Sequence, residues 1–417
     1  MTPKLRSVPQ TTTPGVLSQS VILLLLSQVL SGMLITTQFA FFPIFIEERL
    51  GYTAAIISIC VALGRAMGMA ASLVGGSLVN QLGHKWSFVL GTGAFVFGSV
   101  LFLFDTPWLV LLFWGLAAAG LSIRTPAGQS YTIQMTGAQR LGFVSALYTL
   151  SVTVGGALGN PGAGVLLDRG GYRAFALGML AISLLTTGGM AAFLPTPTSE
   201  ASSRSAAQAK SSHHYGNLIR RPAVAVLGLI RFLPTAYYGM SVIIIPLLIN
   251  RLSGSKTTVA LYLTVSQVVA TGVQLLAGWA ADRYGHQRPS MTAFGTLILS
   301  AAGLAAFSTH LWGLFVFGAL GLGAAWSLAA LLPCQVSDAV PDEDHGRVLG
   351  FLNLAWNAGM IVGSLMGGAL VEIATGLPFL VTALMNAPAI LLLIILSRLQ
   401  HATAEAKSSA AKAKEAI

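Results

Sequence analysis

Gly278-Trp279-Ala280-Ala281-Asp282-Arg283-Tyr284-Gly285-His286-Gln287-Arg288 is a short polar stretch between two long apolar segments. A helix inside lipid does not carry Asp282, Arg283, His286 and Arg288 together, because nothing there solvates them. The stretch is therefore read as a tight turn at a membrane surface. Gly278 is expected to let the helix end approach a neighbour closely, and Gly285 to take a positive φ. An altered copy, G-S-L-V-N-Q-L-G-H-K over Gly76–Lys85, lies about two hundred residues earlier.

The surrounding composition agrees. The chain has 417 residues, 54% of them hydrophobic and 9% charged, where a soluble domain carries about 25% charged residues. That excludes an ordinary soluble enzyme. The net charge of +10 is read by its placement about a bilayer, and no nucleic-acid partner is expected. Cys60 and Cys334 lie in apolar segments and form no metal or disulfide pattern. The first apolar run is too long for the core of a signal peptide.

Apolar runs able to cross a bilayer, each of about 20 residues, recur twelve times between residues 19 and 397. The expected fold is an all-α membrane protein with twelve transmembrane helices in two six-helix, pseudo-symmetric bundles. The expected domains are an N-tail (1–18), a first bundle (19–194), a Ser/Ala-rich basic linker (195–221), a second bundle (222–398) and a C-tail (399–417). His213 and His214 in the linker have no further metal ligands nearby and read as solvated.

Of 23 Lys and Arg residues, fifteen fall on the side of the N-terminus. Arg49, Arg169, Arg173, Arg251 and Lys256 fall on the other, and Arg65, Arg124 and Arg231 lie within spans. The excess predicts both termini in the cytoplasm.

The halves repeat in parallel. Pro43 and Pro246 precede Gly76 and Gly278 by 33 and 32 residues. Leu141-Gly142-Phe143 returns as Leu349-Gly350-Phe351, and Val154-Gly155 with Gly159 as Val362-Gly363 with Gly367. Such repeats place a solute site near the midplane between halves that rock about it.

Twelve helices, a basic central linker and G-x-x-x-D-R-x-G-H-x-R after the eighth helix together resemble the major facilitator superfamily, over about residues 20–398. The resemblance implies alternating-access transport of a small solute with no bound cofactor and no enzymatic activity. It also implies that Asp282 meets the N-terminal amides of the eleventh helix, near Arg347. Arg283 or Arg288 then pairs with Asp338, Asp342, Glu343 or Asp344 to close an inner gate. In the first copy Asn80 and Gln81 replace the family's Asp and Arg, and Gln134 matches Asp338. The latch is thus expected mainly in the second half. The stretch Gly155–Gly164 (G-G-A-L-G-N-P-G-A-G) is similar to the family's exporter motif, with Asn160 intruding before Pro161. Leu111 stands where the exporters' fourth-helix Arg is expected.

All thirteen Asp and Glu residues lie outside the helix middles, and so do the histidines. The buried cations are more informative. Arg65, Arg124 and Arg231 each cost at least ~3 kcal/mol inside a bilayer unless compensated. Guanidinium binds carboxylate or phosphate in a bidentate fork. Gln267 is the repeat counterpart of Arg65 and Gln28 that of Arg231, which places a cation and an amide at matching depth across a cavity. Gln38, Tyr237 and Tyr238, near Pro43 and Pro234, are further candidate liners. Helix packing or gating is the competing reading for each.

These readings lead to a gradient-driven carrier in the plasma membrane (the inner membrane of a Gram-negative cell), working as a monomer. Its partners are the bilayer and a small-molecule substrate, with a coupling ion left open. Efflux or exchange of a drug-like compound or metabolite leads. Uptake or exchange of a small anionic metabolite held by arginine is the alternative, and a non-transporting sensor on the same scaffold is the alternative of another class.

Overall fold

The computed structural model describes residues 19–135, 141–196, 221–340 and 344–399, without the side chains of 73–80, 133–135, 141–143 and 145–146, or of 345–346. The tails, most of the linker, Asp342 and Glu343 lie outside the described residues, as do the side chains of Asn80 and Gln134.

Among the described residues the chain is helical without a strand. The helices are α1 (Gln19–Leu50), α2 (Ala54–Gly93), α3 (Phe95–Val100), α4 (Pro107–Met135), α5 (Leu141–Phe193), α6 (Pro222–Ser253), α7 (Lys256–Tyr284), α8 (Gln287–Phe307), α9 (Leu311–Ala339), α10 (His345–Val371) and α11 (Leu377–Asn386), with helix resuming after Pro388 to Leu399. Eleven stretches are long and apolar enough to cross a bilayer. One of them, Leu147–Phe193, turns back at Gly171 (φ 66°, ψ −172°) and supplies two crossings, which makes twelve. The chain is an all-α, multi-pass membrane protein.

Positive-φ glycines mark the repeat in the backbone. Gly51 and Gly254 (φ 67° and 65°) end α1 and α6. Gly83 and Gly285 (both φ 78°) make the turns of the altered and intact polar stretches. At ψ near 160° this conformation is open essentially to glycine alone, so the local bend survives in the copy that lost its charges.

Close helix pairs repeat as well. A Cβ at Gly155 would lie 1.9 Å from the Val29 carbonyl oxygen, so α5 packs on α1 backbone to backbone. In the second half a Cβ added at Gly363 would clash in the same way with the Ala236 carbonyl oxygen, so α10 packs on α6. Small residues allow such contact where lipid offers no hydrophobic drive to association.

The halves meet at one end. Gly164 of α5 lies against Lys256, Thr257 and Ala260 of α7, and Gly368 of α10 against Ala54 and Ser58 of α2. Beyond these contacts stands a charged layer. Glu47 accepts from Arg251 Nε at 2.7 Å. Glu48 is held by Lys256 Nζ (2.8 Å), Asn250 Nδ2 (2.9 Å) and the Tyr172 hydroxyl (2.8 Å). This closed end carries Asp168; the opposite end carries Asp282.

Candidate functional site: a cleft between the halves

Three connected cavities run from the sealed Asp168 end toward the Asp282 end, and Trp356 of α10 lines all three. The innermost is a chamber of 270 Å³ between α1, α2 and α5 on one side and α6, α7, α9 and α10 on the other. It opens into lobes of 720 and 870 Å³. The first is walled by Arg65, Gln129, Arg231, Asn353 and Asn357, the second by Thr149, Arg231, Gln274, Gly278 and Trp279. The second lobe reaches Gly278 and Trp279, so the cleft extends to the Asp282 end.

Arg65 stands where the chamber meets the first lobe. Its guanidinium carbon lies 5.4 Å from the centre of the Phe39 ring and 5.8 Å from that of Trp356. No carboxylate or hydrogen-bond acceptor holds it among the described residues. Ring faces attract a desolvated cation by up to about 2 kcal/mol each, which offsets much of the insertion cost but leaves the five N–H donors unused. Arg231 lines both lobes and is likewise without a side-chain partner there. Tyr238 lines the chamber beside Arg65, and Gln267 lines its α7 wall. The cleft therefore gathers Arg65, Arg231, Tyr238 and Gln267.

Four expected liners sit elsewhere. Arg124 is buried inside the first half. Its Nη2 donates to Gln28 Oε1 at 2.7 Å and its Nε to the Thr92 hydroxyl at 3.2 Å, while Phe88 and Phe95 present their faces at 5.1 and 5.6 Å. Gln28 thus serves Arg124 and not Arg231, because α4 is the neighbour that its helix face meets. Gln38 donates to the Phe95 carbonyl and the Ser99 hydroxyl, at 3.2 and 3.0 Å, and ties α1 to α3. Tyr237 is fully buried with its hydroxyl against Gly321 and Ser300. The adjacent Tyr238 faces the chamber because successive helix residues point about 100° apart.

The expected inner gate also looks different. A Cβ at Gly278 would meet nothing within 4 Å: this glycine faces the open lobe and approaches no neighbour. Asp282 is exposed and accepts no hydrogen bond among the described residues. Arg283 lies 5.7 Å from the ring centres of both Trp279 and Tyr284. Arg288 lines an outer groove with Tyr284 and Leu276. Asp338 pairs with His286 (3.3 Å), and Asp344 with Arg221 (2.6 Å) and Arg347 (3.6 Å). Among the described residues the expected arginine pairs are absent: Arg283 turns to the rings of Trp279 and Tyr284 on its own helix, while Asp338 and Asp344 meet His286, Arg221 and Arg347 instead.

Trp326, Trp356, Asn353, Asn357, Tyr262 and Gln129 were not singled out from the sequence. One signal was available. Asn353, Trp356 and Asn357 fall at helical spacing on one face of an apolar span, and polar groups there rarely face lipid.

The model of the Major Facilitator Superfamily matches residues 24–332 and 227–417. The chain belongs to the major facilitator superfamily. Among curated relatives, the class H tetracycline resistance protein of Pasteurella multocida is 28% identical over 186 residues, 42% of this chain and 44% of that protein. The class G protein of Vibrio anguillarum is 31% identical over 132 residues, 30% of this chain and 32% of that protein. The matched segments thus span less than half of either relative. Solved structures share the fold. A D-xylose–proton symporter superposes with TM-score 0.73 at 14% identity, covering 89% of this chain and 96% of that one. A bacterial homologue of the lysosomal transporter Spinster, in an inward-facing and occupied conformation, gives 0.67 at 14% identity over 93% and 97%. As a family member the chain is a membrane transporter of the facilitator type.

Proposed function

We propose that this transporter exports or exchanges a small, flat organic compound bearing an anionic group, by rocking its two halves (19–194 and 222–398) about the central cleft. The observation that carries the reading is Arg65, half-buried between Phe39 and Trp356 with no anion to neutralise it among the described residues. An aromatic sandwich around an unpaired guanidinium suits a ligand with an apolar ring and a carboxylate, enolate or phosphate. Arg231 is a second cation on the way in. The tetracycline resistance proteins among its relatives favour efflux over uptake.

With the Asp282 end in the cytoplasm, as the basic residues favour, the cleft is an inward-facing one. The exposed Asp282, the bare Gly278 and the exposed Arg283 are then surfaces held in reserve for the outward-facing state, in which the first half closes upon them. The carrier would act as a monomer in the plasma membrane.

The test is transport in inside-out membrane vesicles, reading the loss of fluorescent or radiolabelled aromatic acids from the outer medium. Wild-type protein is expected to accumulate them under an imposed gradient, and Arg65→Gln to lower the rate at least tenfold with the protein still folded. Transport confined to neutral or cationic compounds, and unchanged in Arg65→Gln, would falsify the anion reading.

A further inference from the structure

The chamber holds a second polar feature that the guanidinium does not explain. Asn160 of α5 is fully buried, lines the chamber, and has no partner for either its Nδ2 or its Oδ1 among the described residues. Across from it on α7, Gln267 Oε1 also lacks a partner. Buried polar groups are nearly always satisfied, so an unfilled carboxamide and an unfilled amide oxygen on residues lining one cavity call for an explanation.

Local backbone does not supply it. Pro161 has no N–H, which frees the Ala157 carbonyl from its helical bond. Thr264 of α7 shares its one hydroxyl proton between that carbonyl at 3.4 Å and its own Ala260 carbonyl at 3.0 Å, and Asn160 makes no bond to the gap. The Gln267 amide is set against Gly156, one helical turn from Asn160, where a Cβ would come within 2.8 Å of Oε1 and 2.9 Å of Nε2. That glycine leaves room for the amide to sit at the junction of α1, α5 and α7.

We propose that Asn160 and Gln267 form a subsite for a carboxamide-like edge of the transported compound, a donor and an acceptor side by side, distinct from the anionic group that Arg65 receives. Asn160 Nδ2 donates to the ligand's acceptor, and Asn160 Oδ1 and Gln267 Oε1 accept from its donor. A ligand that makes both bonds satisfies these groups, and one that cannot leaves them unpaired at the full cost of their burial. The substrate class narrows to ring compounds carrying an acidic group and, elsewhere on the frame, a primary or secondary amide, a lactam or an equivalent edge. The subsite rests on the anion reading above, since Arg65 orients the other end.

The experiment uses the purified full chain and two matched pairs of acids: 3- and 4-carbamoylbenzoate against 3- and 4-methylbenzoate. Affinities come from the ligand dependence of the melting temperature. For wild type, at least one carbamoyl acid should bind about tenfold more tightly than its methyl partner, the gain of one well-made neutral hydrogen bond or a little more. Asn160→Leu should equalise the pair and leave the methyl acid's affinity unchanged. Gln267→Leu, at a partly exposed position, should narrow the preference and serves if Asn160→Leu does not fold. Equal binding within both pairs by wild type overturns the subsite, as does a preference that survives both substitutions. If the methyl acids bind and depend on Arg65, that failure leaves the anion reading intact. If no acid binds in an Arg65-dependent way, both readings fall.

Discussion

The Asp168 carboxylate of α5 accepts a hydrogen bond from the backbone N–H of Lys256, the first residue of α7, at 2.9 Å. It also accepts from Thr257 N–H and the Ser255 hydroxyl, each at 2.9 Å. An anion from one half thus caps a helix N-terminus of the other, where unpaired amides and the helix dipole favour negative charge. The repeat supplies the reciprocal contact: Glu372 Oε1, at the end of α10, accepts from Ala54 N–H at the start of α2 at 2.7 Å. Two carboxylate caps, one from each half, therefore close this end.

Removing the caps should open that end. Asp168→Asn and Glu372→Gln are each expected to weaken it by about 1 kcal/mol, about a fivefold shift in the ratio of the two conformations. The double variant should shift it by roughly the product, since the sites are apart. Spin-label distances across the Asp168 end would report this; an unchanged distribution in the double variant would rule out a latch.

Glycine contacts should set how far the same end can close. A side chain at Gly164 would run into the Lys256 carbonyl at 2.8 Å and Thr257 Cα at 2.8 Å, both backbone atoms unable to step aside. Gly164→Val is expected to trap the carrier open at the Asp168 end. A cysteine placed at Gln274, in the lobe now open, should then lose most of its reactivity toward a water-soluble maleimide. Undiminished labelling would contradict the seal.

Arg124 and Gln28 should affect stability and leave selectivity alone. Gln28→Leu takes the amide acceptor from a buried guanidinium and should lower stability by roughly 2–3 kcal/mol. That would appear as a fall in melting temperature with no change in the relative transport of different substrates. A change in substrate preference at constant stability would return Arg124 to the list of recognition residues.

The two polar turns should respond unequally. Among the described residues Asp282 is exposed and without a partner, so Asp282→Asn costs the present form nothing and weakens only a form in which the first half closes upon the carboxylate. The population should move toward openness at the Asp282 end. Asn80→Ala, in the copy that has no carboxylate, should move it much less. Equal shifts in a distance measurement across that end would refute the asymmetric gate.

Much of the scaffold was legible in residue patterns because its causes are local. Lipid cannot solvate a backbone or a charge, so apolar runs of sufficient length must be helices, and the charged stretch at Asp282 must lie at a surface. The φ/ψ pair found at Gly83 and Gly285 is open essentially to glycine, and the repeat could be read because those glycines persist where the Asp and Arg do not. Both carboxylate caps escaped notice. Asp168 and Glu372 look like ordinary helix-end acids until the opposite half brings an N-terminus to them.

For this protein the amino-acid sequence by itself determined twelve crossings, a parallel repeat, the family and a short set of costly buried arginines. Tertiary structure decided what those arginines do. Arg65 and Arg124 are the same side chain in similar apolar helices, and their local sequence does not distinguish them. Arg124 has Gln28 and Thr92 within hydrogen-bond reach because α1 and α2 pack on α4. Among the described residues Arg65 has only ring faces for partners, because it stands where the two halves part. Burial makes a guanidinium costly whatever its position; only the neighbouring helix determines whether protein or ligand supplies the missing acceptor. The turn at Gly278–Arg288 follows the same rule. Its bend is local, while its partners depend on which end of the carrier is closed.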